Sequence, residues 1–120
     1  MSKTFFSEFK SDIPVAIINK NDYRYDVLKN VFNQYGFGFM LPFDNLIVID
    51  GEAGLNKNEL KWVEAHEVAH YLLGHSKVNP NDEIEADTLA YTMLNERGYT
   101  KSAKMVKDTF LERHGIDFLI

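Results

Sequence analysis

The chain has no cysteine among its 120 residues. Disulfide stapling and thiolate metal ligands are therefore both excluded, and any metal must be held by His, Asp or Glu. Long apolar runs are also missing. No segment approaches the roughly 20 residues needed to span a bilayer as a helix. The N-terminal stretch MSKTFFSEFKSDIPVAIINK has no long apolar run and carries Glu8 and Asp12, which makes it a poor signal peptide. The expected location is the cytoplasm, with no membrane partner. Positive charge is in deficit: 13 Lys and Arg stand against 18 Asp and Glu, a net charge of −5, and the pI is about 5.3. An extended nucleic-acid footprint is normally basic, so no direct nucleic-acid contact is expected. Binding to a protein that itself binds DNA stays open. Nowhere do proline and glycine cluster into a linker, and there is no repeat or low-complexity tract.

What remains is ordinary globular material, 45% hydrophobic and 26% charged. The length fits one domain over residues 1–120. SKTFFSEFKSD reads as a short helix with Phe5, Phe6 and Phe9 on one side. PVAII (14–18) reads as a strand. NDYRYDVLKNVFNQYG (21–36) has Tyr25, Leu28, Val31, Phe32 and Tyr35 at helical spacing, with Gly36 as the stop. FGFML (37–41) and NLIVID (45–50) read as strands of a hairpin with Pro42 in the connection. Helices follow at about 57–73, closed by Gly74, then 81–97, capped by Asn79 or Asp82, and 101–113. The order helix, strands, then helices predicts an α+β fold, with a short antiparallel or mixed sheet.

Two of the four histidines stand in AHEVAHYLLGH, residues 65–75. His66 and His70 are four apart, which on a helix puts both imidazoles on one face, about 6 Å apart along the axis. Both can reach one ion at the ~2.0–2.1 Å bond length of zinc. Glu67 is rotated about 100° from His66, so it reaches a water at the metal rather than the metal itself. H-E-x-x-H on a helix therefore reads as two zinc ligands and a general base. His75 lies beyond Gly74, about 140° off the face of His70. It is expected to be solvated or to cap the helix C-terminus rather than to be the third ligand.

A catalytic zinc site needs a third protein ligand and an open position. NDEIEADTLAYTML (81–94) offers Glu83, Glu85 and Asp87. Glu83 and Asp87 are four apart and share a face, so Glu83 can bind the metal while Asp87 accepts the remaining N–H of a ligand histidine. Glu85 points elsewhere and suits a capping box with Asp82.

HEVAHYLLGH followed by EIEADTLA resembles the ImmA/IrrE family of gluzincin-like metallopeptidases over about residues 60–94. The resemblance implies a small zincin-like domain in which an HExxH helix and a glutamate-bearing helix pack against the sheet. By it, His66, His70 and Glu83 are the Zn2+ ligands, Glu67 is the catalytic glutamate, and Asp87 is the polar residue behind the ligands. Ala86 and Ala90 match small positions that let the two helices approach. The implied substrate is a protein, with a transcriptional repressor as the candidate. The second helix departs from the family in ending MLNERG rather than Leu-Leu-Met-Pro. The alternative reading is a non-catalytic, zinc-containing accessory or protein-binding module of phage or mobile-element origin. Glu67 separates the two, because a purely structural site has no need of a carboxylate there. By residue type Tyr71, Tyr91, Tyr99 and His114 are eligible to stabilise an oxyanion, and none is singled out.

Overall fold

The computed structural model describes residues 3–41, 45–75 and 79–118. Its sheet is built around two apolar strands, β2 (Pro14–Ile18) and β4 (Leu46–Asp50), which run parallel with Val15 opposite Ile47 and Ile17 opposite Ile49. β-Branched side chains suit such a pair, because both faces of both strands are covered. The period-two alternation divides them. Val15, Ile47 and Ile49 face one layer, with Val68 of α2 (Lys57–Leu73). Ala16, Ile18 and Val48 face the other, with Phe32 of α1 (Tyr25–Tyr35). β1 (Lys3–Phe6) and β3 (Gly38–Leu41) flank this pair antiparallel, giving the order β1-β2-β4-β3. The sheet is therefore mixed, and four helices complete an α+β domain. β3 and β4 pair as expected; Pro42 lies outside the described residues.

The N-terminal helix expected from SKTFFSEFKSD does not form. Lys3–Phe6 is strand β1, paired with β2 from Lys3 opposite Ile17 to Phe6 opposite Pro14. Phe5 packs into the layer beneath α2 while Phe6 is 68% exposed. That alternation belongs to a strand, and the otherwise open edge of β2 supplies the partner. The first helix spans Tyr25–Tyr35, the residues at helical spacing, with Gly36 at its end as expected. Asp22 accepts from the backbone and guanidinium of Arg24, which fixes a turn ahead of Tyr25.

α2 occupies the expected residues because both its ends are specified locally. Asn56 accepts from the backbone N–H of Glu59, and Glu59 accepts from that of Asn56. At the other end Gly74 takes the left-handed conformation, φ 71°. α3 (Pro80–Glu96) starts from Asn79, the helix's N-terminal cap, with Pro80 in its first turn. α4 (Thr100–His114) follows a tight turn at Gly98. Ala65 and Ala69 of α2 meet Ala86 and Ala90 of α3 in a fully buried seam. Leu94, Ala103, Val106 and Phe110 extend that core to α4. Small side chains let helix axes approach closely, and this seam sets the distance between the His66–His70 face of α2 and the Glu83–Asp87 face of α3. Among the described residues no helix is long and apolar enough to cross a membrane.

Candidate metal centre

The face of α2 beside the alanine seam carries His66 and His70, and the facing side of α3 carries Glu83 and Asp87. Nε2 of His66 and Nε2 of His70 are 3.0 Å apart, and each lies 3.1 Å from the same Oε2 of Glu83. Ligands of a tetrahedral ion with ~2.0–2.1 Å bonds are separated by about 3.3 Å, so this triangle is within a few tenths of an ångström of coordinating size.

Hydrogen positions decide whether the triangle suits a cation. Nδ1 of His66 is 2.8 Å from Oδ1 of Asp87. The ionised carboxylate can only accept, so Nδ1 carries the hydrogen, and a neutral His66 has its lone pair on Nε2. That lone pair faces an acceptor oxygen and a second imidazole nitrogen. Three electron pairs converging on one point repel unless a proton or a cation lies among them. A proton on His66 relieves part of this. Burial opposes its charge, but hydrogen bonds to Asp87 and Glu83 outweigh burial and push the imidazole up to about 9. A divalent ion would satisfy all three groups at once. Two imidazoles and one carboxylate suit zinc, whereas calcium and magnesium prefer all-oxygen sites. Burial works against the charge on Glu83 as well, yet its contacts with the His66 and His70 imidazoles hold its carboxyl far below the usual carboxylate range.

Asp87 is fully buried and receives more than His66. Trp62 Nε1–H donates to Oδ1 at 3.3 Å, His114 Nε2 lies 2.6 Å from Oδ2, and Arg113 Nη1 donates to the same oxygen. Burial disfavours its charge, but the bond to His66 and the Arg113 and His114 contacts keep it strongly ionised. Arg113 in turn lies over the Trp62 ring, 4.6 Å from its centroid. Nothing near the HExxH motif announces these two α4 residues. Of the aromatic and histidine groups eligible by type for work at the site, Tyr91 packs on Phe118 and Tyr99 donates to Glu8. Tyr71 is partly exposed on α2. His114 alone of the four lines the cleft.

Two expectations for the loop region need correction. His75 is not solvated, although its backbone N–H does close the helix end on the His70 carbonyl at 3.0 Å: its side chain is 8% exposed, and its Nδ1 lies 3.2 Å from Nδ1 of His70. The helical rotation that aimed it elsewhere stops applying at the left-handed Gly74. Glu85 does not form a capping box, because Asn79 caps α3 instead; Oε1 of Glu85 lies 2.9 Å from Nε2 of His75.

Beside the triangle opens a cleft of about 650 Å3, whose wall includes His66, Glu67, Glu83 and Asp87. Glu67 is almost entirely covered, 3% exposed, yet borders this space. Tyr35, Phe37, Leu55, Trp62, Val63 and Ile84 make the remaining wall largely apolar. Gly38 of β3 also lines it, and its backbone approaches α2 so closely that a β-carbon there would stand 2.7 Å from Val63 Cγ1. Comparison of the chain with protein-family models, with curated proteins and with solved structures returns no significant match.

Proposed function

We propose that this protein is a zinc-dependent peptidase of the gluzincin kind, with a zincin-like domain, acting in the cytoplasm on a protein substrate. The observation that carries the reading is the meeting of three electron-pair donors, from His66, His70 and Glu83, at the edge of a cleft that Glu67 also borders. Zinc held there would polarise a carbonyl and make water more acidic. Glu67, on the cleft wall and outside the triangle, takes the proton from the attacking water and delivers it to the leaving amine. Asp87 keeps His66 in the tautomer that presents Nε2. The apolar wall formed by Phe37, Leu55 and Val63 favours a substrate with a bulky apolar side chain next to the scissile bond. A transcriptional repressor is the substrate we put first, on the likeness of HEVAHYLLGH and EIEADTLA to ImmA/IrrE proteins.

The test combines elemental analysis with the Glu67→Gln variant, which keeps side-chain size but removes the base. One zinc per chain is expected in both proteins. Cleavage of co-expressed repressors and of apolar peptide panels is expected from the wild type only, with the variant slower by roughly 10²–10⁴. Equal cleavage by both would overturn the role of Glu67. Zinc in both and cleavage in neither would assign the chain to the alternative, a zinc-containing protein-binding module.

A further inference from the structure

The two ligand histidines are held from behind in different ways. His66 gives its Nδ1 hydrogen to Asp87, as a metal-ligating imidazole commonly does to a carboxylate. No carboxylate reaches His70 Nδ1 among the described contacts; it faces another imidazole, His75, at 3.2 Å. Two imidazole nitrogens at that distance share one hydrogen, and either ring could own it. The far side of His75 settles the choice. Its Nε2 is 2.9 Å from Oε1 of Glu85 and 3.6 Å from Oδ1 of Asp82. Carboxylates only accept, so a neutral His75 carries its hydrogen on Nε2 and presents a lone pair at Nδ1. His70 must then carry its own hydrogen on Nδ1, which leaves Nε2 of His70 bare toward Glu83 and His66. The opposite arrangement would set the Nε2 lone pair of His75 against a carboxylate oxygen with no hydrogen between them, whereas the Nε2 lone pair of His70, 3.1 Å from Glu83, also has Nε2 of His66 at 3.0 Å to supply a hydrogen.

We infer that His75 and Glu85 are positioning residues for His70, a histidine–carboxylate relay that fixes its tautomer so that Nε2 is available to a cation. The inference rests on the metal-site part of the proposed function, but the relay itself exists without metal. The arm has a direction, from buried His70 through covered His75 to Glu85, which is 60% exposed. The two ligands thus differ in surroundings: His66 is backed by a buried carboxylate with several donors, His70 by a chain that ends at solvent. His75 and Glu85 touch no reacting atom and act only through His70.

The first measurement is the 15N spectrum of the histidines in the zinc-free wild-type protein at neutral pH. Nδ1 of His70 and Nε2 of His75 are expected to be protonated, and Nε2 of His70 bare. A hydrogen on Nε2 of His70 would overturn the relay, whatever the protein does with zinc. The second measurement is zinc affinity by competition with a chelator. His75→Phe keeps a ring but removes the acceptor, and should lower affinity about 10–100-fold while losing the single His70 tautomer. His75→Gln retains an acceptor oxygen and should recover most of the affinity, which a packing role alone would not produce. Glu85→Leu should lower affinity in the same direction and mix the tautomers of His75. If the wild type binds zinc tightly and His75→Phe binds it equally well, the relay has no bearing on the metal and the inference fails. If the wild type shows the expected tautomers but binds no zinc, the proposed function fails and the relay stands as a feature of the fold.

Discussion

Oδ1 of Asp87 lies 2.8 Å from Nδ1 of His66, joining the second long helix to the first through a carboxylate with no exposure to solvent. The other oxygen is shared by Arg113 and His114 from α4. Asp87 therefore ties three helices together at a point directly behind the candidate metal centre. Removing it leaves a largely covered imidazole and a guanidinium without their anion. Asp87→Ala is expected to cost on the order of 3–5 kcal/mol, read from urea unfolding. Asp87→Asn should cost less, because an amide oxygen can still accept from His66.

Zinc binding should be visible as proton release. The proton that His66 holds at neutral pH, with its pKa pushed up to about 9, must leave before Nε2 can bind a cation. Titration calorimetry in buffers of different ionisation enthalpy should show about one proton released per zinc between pH 7 and 8. Affinity should rise with pH until that proton is gone. His66→Ala should abolish both the tight binding and the buffer dependence.

The zinc-free protein should have its own pH profile. A raised histidine pKa stabilises the fold fully below the ordinary value of 6.5, and that contribution is lost as pH rises through about 9. The depressed carboxyls of Glu83 and Asp87 act in the opposite sense. Their contribution is present above the ordinary values of 4.5 and 3.8 and is lost only in strong acid. Urea midpoints of the chelated protein should therefore be highest between about pH 4.5 and 6.5 and fall toward pH 9.5. An equal midpoint at pH 6 and pH 9.5 would contradict the assigned hydrogen bonding of His66.

Gly38 sets how close β3 comes to α2. A methyl group there would meet Val63 Cγ1 at 2.7 Å and the carbonyl oxygen of Val48 at 3.2 Å. Valine is stiff about its first side-chain torsion, so relief requires β3 or α2 to shift. Gly38→Ala should destabilise by about 1–3 kcal/mol. Because the same residue lines the cleft, it should also alter peptide turnover, with zinc content unchanged.

The N-terminus of α2 offers a simpler test. Asn56→Ala removes the acceptor for the Glu59 N–H and breaks the reciprocal cap. A loss of about 1 kcal/mol is expected, with zinc affinity nearly unchanged because His66 lies more than two turns away.

α2 was legible in the sequence because everything that defines it is local: the Asn56–Glu59 cap, the histidine spacing and the glycine stop. The same locality made the facing of Glu83 and Asp87 readable from their spacing. The N-terminal strand was not readable in that way. Three phenylalanines near one another suit a helix or a strand, and only pairing with β2, elsewhere in the chain, decides between them. The partners that α4 gives Asp87 stand 26 and 27 positions beyond it, with no motif to connect them. The place of His75 is not legible for a geometric reason. Helical angles cease to apply at Gly74, where the backbone turns left-handed and the next side chain comes back over His70.

The alanine seam and the groups above it have a further consequence, for the order of folding. His66 and Asp87 are 21 positions apart, and His70 and Glu83 only 13. The donor triangle thus belongs to one helical hairpin, whose closure costs little chain entropy and whose contacts are of the fast-forming kind. The parallel pairing of β2 with β4 must instead bring Val15 to Ile47 across an intervening helix and strand. A hairpin zipped along Ala65, Ala69, Ala86 and Ala90 would hold its donors together before the sheet is complete. A cation captured at that stage would act as a folding nucleus, and refolding in zinc should then be faster than refolding in chelator.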